Sequence, residues 1–243
     1  MKDLAFLKNT YICHRGLHSR DNKVVENTLL SFDKAIEKGY SIELDTNILK
    51  DGTIVVFHDR NLLRLAGINI ALKDLTYEEL ISYKLKNTSE RIPKLSEVLK
   101  HIDKRVPLLI ELKPFGEKKK HVKNILKILK NYEGKFALHT FNPYILYQIK
   151  KQDKTIPRGQ ITEYFKDTKI NPIAKYLMKT MTFNFITKPD FITYGIQDLP
   201  NKYVKKSKRK GILVLSYVAR TQSEFDFVKS NYDNAVFEFF TPI

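Results

Sequence analysis

Glu43, Asp45 and His58 are the residues of this chain best placed to do chemistry together. In Ser41-Ile42-Glu43-Leu44-Asp45 the two acids alternate with apolar residues. On a strand that spacing turns both carboxylates to one face and Ile42 and Leu44 to the other. Asp51-Gly52 then separates two β-rich runs, a strong hairpin signal. The second arm, Ile54-Val55-Val56-Phe57, therefore returns antiparallel and carries His58 back towards the acids. Converging carboxylates are unfavourable unless something neutralises them, and a divalent cation is the simplest candidate. Two further strand ends carry matching groups. His14 and Arg15 follow Tyr11-Ile12-Cys13, and Glu111 and Lys113 share one face at the end of the apolar run from Val106 to Leu112. Glu43, Asp45 and Glu111 suit one hard, oxygen-seeking ion, Mg²⁺ or Ca²⁺, better than zinc. Arg15 and Lys113 add the positive charge that a phosphate needs. His14 and His58 have no cysteine or serine partner, which points to general acid/base work.

The elements that must position these residues alternate. A short strand precedes His14, and a helix with Leu29, Phe32 and Ile36 on one face follows, with Asn27 expected as its cap and Gly39 as its stop. The polar stretch 60–90 has one short helix, signalled by the capping box Thr76-x-x-Glu79, and reads as an insertion. Pro93 is expected to open a helix bearing Leu95, Val98, Leu99 and Ile102. Further strands are expected at Phe136–Leu138, Pro157–Thr162, Phe191–Tyr194, Ile212–Leu215 and Ala235–Phe237, with helices opened by Asn142-Pro143, Asn171-Pro172 and Thr221-x-x-Glu224. About eight parallel strands alternating with helices predict an α/β fold, a (β/α)₈ TIM barrel with a small hairpin and insertion after the second strand. The expected organisation is one domain over residues 1–243, with the insertion at about 50–92. In such a barrel the three strand ends are neighbours, on the face where active sites lie. Phe183-Asn184-Phe185-Ile186, with Tyr164-Phe165, reads mainly as core. His18, His101, His121 and His139 read as surface or strand-end residues, and Glu238, at the end of the last strand, as either facing the pocket or joining a salt bridge.

The composition is that of an ordinary globular protein, 42% hydrophobic and 29% charged. Cys13 is the single cysteine, so an intrachain disulfide is impossible. No stretch has the length of a signal-peptide core or a membrane span, and the protein is expected to be soluble and cytoplasmic. A net charge of +16 invites anionic partners: phosphate compounds, nucleic acid or an acidic membrane surface. Two basic clusters stand out. Lys118-Lys119-Lys120 is expected on a loop after the third barrel strand, where it would concentrate anionic substrate. Lys205-Lys206-Ser207-Lys208-Arg209-Lys210 precedes a strand and reads as a solvated face or a weak attachment to acidic lipid.

In order along the chain, His14-Arg15-Gly16, Glu26-Asn27-Thr28, Glu43-x-Asp45, Asp51-Gly52, His58-Asp59 and Glu111-x-Lys113 make a pattern that resembles the glycerophosphodiester phosphodiesterase family. The resemblance runs from His14 to the closing Phe237-Glu238-Phe239-Phe240-Thr241-Pro242. It implies a metal-dependent barrel hydrolase of lipid metabolism, a phosphodiesterase that cleaves small glycerophosphodiesters to glycerol 3-phosphate and an alcohol. It also implies roles: His14 and His58 as acid/base pair, Glu43, Asp45 and Glu111 as ligands of one Mg²⁺ or Ca²⁺, Arg15 and Lys113 as phosphate binders. The family's usual tryptophan near the penultimate strand is absent, and Tyr217 stands in its place. Lysophospholipase D-type cleavage of lysophospholipids is the alternative within the same chemistry. A non-catalytic basic protein that binds nucleic acid or a membrane surface is the alternative of another class. The chain holds no recognised nucleic-acid-binding motif, so no specific nucleic acid is expected as partner.

Overall fold

The computed structural model describes residues 2–85 and 88–243. In chain order, the first elements are α1 (Ala5–Asn9), β1 (Ile12–Cys13), α2 (Leu29–Glu37), β2 (Ser41–Ile48) and β3 (Ile54–Val56). Short helices α3 (Leu63–Ala66) and α4 (Tyr77–Leu80) lead to α5 (Leu95–Ile102), β4 (Leu108–Leu112) and α6 (Lys118–Leu129). Then come β5 (Phe136–Thr140), α7 (Pro143–Gln152), β6 (Arg158–Thr162), α8 (Pro172–Lys179), α9 (Asn184–Thr187) and β7 (Phe191–Gly195). The chain closes with α10 (Lys202–Arg209), β8 (Leu213–Ala219), α11 (Gln222–Asn231) and β9 (Asn234–Phe237). Eight of the strands are parallel and close into a (β/α)₈ barrel, with β3 outside the ring. No helix among the described residues is long and apolar enough to cross a membrane.

The chain divides into two compact units, residues 13–136 and residues 1–12 with 137–243. In the first, β2 does two jobs. Ile42–Thr46 pairs parallel with Leu108–Leu112 of β4, and Thr46–Ile48 pairs antiparallel with Ile54–Val56 of β3. The expected hairpin is therefore present. Gly52 sits at its tip with φ +91, where a Cβ would come within 2.8 Å of the Lys120 side chain. Leu108, Leu109, Ile110 and Leu112 are fully buried, each contributing roughly 1.5–3 kcal/mol. Leu62, Leu65, Leu72, Leu75 and Leu80 of the insertion bury against Val55 and Phe57, so it shares its core with the hairpin arm. Pro93 precedes the fifth helix rather than opening it: α5 begins at Leu95, because Val56 N–H bonds to the Pro93 carbonyl and keeps that residue in an extended segment.

In the second unit β5 to β9 run parallel in sequence order. Asn142, Asn171 and Thr221 cap α7, α8 and α11 as expected, each worth about 1 kcal/mol. Asn234 Nδ2 donates to the carbonyls of Leu7 (2.8 Å) and Thr10 (2.7 Å), which ties α1 and the residue after it to the start of β9. β5 is longer than expected and includes His139 and Thr140, both buried.

Candidate active site

The floor of the site is the register of β2 on β4. Asp45 lies directly opposite Glu111, and Glu43, two residues back, shares the face of Asp45. All three carboxylates are buried. Lys113, just past β4, sends its ammonium to 2.9 Å from Asp45 Oδ1 and 2.8 Å from Glu111 Oε1. Burial alone would lower that ammonium, but Asp45 and Glu111 outweigh it and hold its pKa above the ordinary lysine value. Burial would likewise raise Asp45, but Lys113 and Arg15 keep its carboxyl well below the usual range. Glu43 is different. Burial and then the charge of Asp45 push its pKa up, and His14, Lys113 and Arg15 offset only part of this.

Arg15 and Gly16 both take positive φ, +54 and +78, so the backbone turns sharply after β1. The turn aims the Arg15 N–H at Glu43 Oε2 (3.1 Å) and sets His14 Nε2 4.0 Å from the same oxygen. A Cβ on Gly16 would fall 2.5 Å from Ser31 Oγ, so only glycine fits there. The Arg15 side chain reaches Asp45 Oδ2 with Nε (3.2 Å) and donates from Nη1 to Glu26 Oε1 (2.7 Å).

His58 is fixed from its own arm. Phe57 N–H donates to the Asp45 carbonyl, and Asn47 Nδ2 donates to the carbonyls of Phe57 (2.7 Å) and Asp59 (3.3 Å). His58 Nδ1 lies 2.7 Å from Asp59 Oδ1. Behind Asp59 stands Arg64, on α3. Its guanidinium donates to Asp59 Oδ2 (2.7 Å) and grips Glu26 through Nη1 (2.8 Å) and Nη2 (2.6 Å). One chain of charges, His58–Asp59–Arg64–Glu26–Arg15–Asp45, thus links the hairpin arm to the strand floor. Burial would raise Asp59, but His58 and Arg64 bring it down to about 2.

All seven predicted residues, His14, Arg15, Glu43, Asp45, His58, Glu111 and Lys113, lie in the unit 13–136. Ion pairs or charge interactions join each to at least one other of the set. Glu26, Arg64, Asp59, Asn47 and Asn27 support them. Asn27 does not cap α2, as expected from its sequence position; Thr28 does, accepting from Ser31 N–H. At φ +59 Asn27 is turned inward, where Nδ2 donates to Asp45 Oδ2 (2.9 Å) and Oδ1 accepts from the Asp45 N–H (3.2 Å). Lys118-Lys119-Lys120 is not on a loop but forms the first turn of α6. His121 is buried on α6 rather than at the surface or a strand end, with Nε2 3.2 Å from Thr46 Oγ1, while His139 is buried near the end of β5, a strand-end position as expected. His101 is half-exposed and pairs with Asp33. In the other unit, Glu238 pairs with Arg220 (2.7 Å), and the Tyr217 hydroxyl donates to Glu163 Oε2 (3.0 Å).

Glu43 and Glu111 have the spacing of two ligands on one divalent cation. They offer oxygen donors alone, and their oxygens come within 4.8 Å of each other.

The model of the glycerophosphoryl diester phosphodiesterase family matches residues 14–237. A glycerophosphodiester phosphodiesterase of Caldanaerobacter subterraneus subsp. tengcongensis is 37% identical over 159 residues, 60% of this chain and 63% of that protein. A Rattus norvegicus protein named lysophospholipase D GDPD1 is 36% identical over 42% of this chain and 36% of its own length. The chain thus spans less than two thirds of the length of these curated relatives. Among solved structures, an Oleispira antarctica phosphodiesterase in complex with the product sn-glycerol-3-phosphate superposes with a TM-score of 0.79 at 22% identity, covering 96% of this chain and 94% of that one. A glycerophosphodiester phosphodiesterase from Thermotoga maritima gives 0.73 at 23%, covering 95% of each chain. At these identities the structures establish the shared fold.

Proposed function

Since the chain belongs to the glycerophosphoryl diester phosphodiesterase family, we propose that it hydrolyses small glycerophosphodiesters to glycerol 3-phosphate and an alcohol. The observation that carries this reading is the buried trio Glu43, Asp45 and Glu111, braced by Arg15 and Lys113 beside two histidines. Glu43, Asp45 and Glu111 would hold one Mg²⁺ or Ca²⁺. When bound, the ion neutralises the phosphodiester and lowers the barrier to charge building on its oxygens. Arg15 and Lys113 bind the phosphate, with their own orientation set by Asp45, Glu26 and Glu111. His14 and His58 divide the proton work. One imidazole takes the proton of the attacking hydroxyl, of water or of the neighbouring glycerol carbon, as its oxygen bonds to phosphorus; attack by the glycerol hydroxyl gives a cyclic phosphate, which water then opens to glycerol 3-phosphate. The P–O bond to the alcohol breaks, and the other imidazole protonates the departing alkoxide. Asp59 fixes the His58 ring through Nδ1 and leaves Nε2 for the reacting groups. The cytoplasmic reading rests on the single cysteine, Cys13, which is buried and free of any disulfide.

The test is the purified protein on a panel of glycerophosphodiesters and lysophospholipids, with coupled detection of glycerol 3-phosphate, before and after chelation. Release of glycerol 3-phosphate from the glycerophosphodiesters is expected, and release of choline and lysophosphatidic acid from lysophosphatidylcholine would favour the lysophospholipase D alternative. Chelation and Glu43→Gln should each remove about a thousandfold or more of the rate, the several kcal/mol that a metal's charge contributes. Glu43→Gln should leave the thermal midpoint unchanged or higher, because burial already favours the neutral form. Full turnover in either case would sink the metal assignment.

A further inference from the structure

Away from the carboxylate site, α8, α9 and α10 meet in a corner with an unusual surface. Helix α8 buries none of its residues, although Ile173, Tyr176 and Leu177 lie at helical spacing on one face. Ile173 is 70% exposed, Tyr176 56%, and Phe185, on α9, 71%. A helix of eight residues does not hold itself together in water and ordinarily needs a surface against that face. Two cavities flank α9. One, of about 660 Å³, is lined by Tyr176, Phe185, Tyr203, Lys188, Lys206 and Lys210 among others, with no acid in its wall. The other, of about 450 Å³, is walled by Tyr144, Tyr147, Phe183 and Ile186 and is almost wholly apolar.

The charge around this corner has one sign. Residues 168–188 contain four lysines and no acid, and residues 199–212 contain five lysines, one arginine and no acid. Of the acids that flank these stretches, Asp190 pairs with Lys2 (2.8 Å) and Asp198 with Lys166 (2.8 Å), and Asp167 stands one residue before the first stretch. The positive charge is dense enough to help depress Lys150, through lost hydration first and then repulsion by Lys188, Arg158 and Lys154.

We propose that this corner docks on an anionic phospholipid bilayer, with Ile173, Tyr176, Phe185 and Ile186 entering the boundary between headgroups and chains and Lys188, Lys206 and Lys210 holding lipid phosphates. Exposed apolar side chains ringed by lysine, with tyrosines at the rim, are the composition of an interfacial helix. Single-stranded nucleic acid would meet the aliphatic Ile173 and Ile186 where it needs flat rings to stack on. A second copy of the chain would bring the same lysines face to face. The inference is independent of the proposed reaction.

The chain has no tryptophan, so Phe185→Trp gives a single fluorescent reporter. Its emission should shift to the blue with phosphatidylglycerol/phosphatidylcholine vesicles and stay fixed with phosphatidylcholine alone, and flotation should recover the protein with the first only. Changing Lys188, Lys206 and Lys210 together to Gln in that background should weaken partitioning about a hundredfold, at about fivefold per basic residue. Ile173→Ser with Ile186→Ser should also abolish the shift. These side chains are exposed or line an open cavity, so thermal midpoints and turnover of a soluble substrate should be unchanged. Equal binding to neutral vesicles, or none to either, overturns the proposal. So does a blue shift that grows with protein concentration without lipid, which assigns the surface to a second copy, or tighter binding to single-stranded DNA than to vesicles.

Discussion

Lys113 ends its strand with its ammonium 2.8 Å from Glu111 and 2.9 Å from Asp45, whereas Lys206 faces a cavity whose wall has no acid. The two lysines sit in regions that handle charge in opposite ways. Around β2 and β4 the charges are buried and each has a partner. Removing Lys113 takes the paired charge from Asp45 and Glu111 together, a loss of several kcal/mol. Around α8 to α10 the charges are solvated and alike. Each adds a small, screened increment, and none depends on a particular neighbour. The first arrangement fixes geometry to fractions of an ångström. The second gives graded attraction to a surface that has no fixed shape.

The largest single effects should therefore fall in the braced region. His14→Ala or His58→Ala should each lower kcat by about 10²–10⁴, and the parent enzyme should have a bell-shaped pH–rate profile. A near-normal rate for either variant would take that histidine out of the mechanism. Arg64→Ala comes next. It touches neither the carboxylate trio nor Arg15 and Lys113 except through Glu26 and Asp59, and a supporting residue of this kind is typically worth about 10- to 100-fold. The loss should appear in kcat with KM little changed, and Arg64→Lys should recover little, since an ammonium cannot grip two carboxylates at once. A fall confined to the thermal midpoint would make Arg64 merely structural.

A smaller effect comes from His121, where burial pushes the imidazole down to about 4 and a bond to the Lys113 backbone offsets only part. Its folded pKa lies below the ordinary value of 6.5, so the unfolded chain binds the proton more readily. Stability is then complete above about pH 6.5 and lost as pH falls towards 4, by about 2 kcal/mol at pH 5. His121→Leu should flatten that dependence in thermal scans at pH 7 and pH 5, and an equal acid loss in both proteins would refute it. The smallest effect should come from Lys118→Gln with Lys119→Gln. Lysines in a first turn oppose the helix dipole, so they do not serve α6 itself. We expect about a two- to threefold fall in kcat/KM at low ionic strength and none at high salt. A fall that persists in high salt would move these lysines from steering to direct contact.

Much of the site was legible because strand periodicity is short-range. Glu43 and Asp45 two apart, Asp51-Gly52 at the hairpin and Glu111 two before Lys113 each needed only a few neighbouring residues. Arg64 was not legible, since it is an isolated arginine in a polar stretch and its partner Glu26 is 38 positions away. Asn27 was misread because asparagine before a helix is a favoured cap. Thr28 fills that role one residue later, and the left-handed backbone that asparagine tolerates frees its amide for Asp45. Lys118–Lys120 carries no capping signal, so nothing local marked where α6 starts. Phe183–Ile186 looked like core from its residue types alone, yet Phe185 and Ile186 are exposed. Periodicity gives a face but not what lies against it.

The insertion has a thermodynamic consequence of its own. Arg64 is carried by a helix of four residues, and the leucines below it pack on the hairpin arm rather than on the barrel strands. Elements of this size open far more often than the strands they sit on. Each opening withdraws Arg64 from Asp59 and Glu26 together, so the His58 ring loses its anchor while β2 and β4 stay folded. The fraction of molecules competent for turnover is then set by a local equilibrium instead of the global one. Activity should fade on warming before the barrel melts, and amide exchange across residues 60–85 should run ahead of exchange in β2 and β4 as that happens.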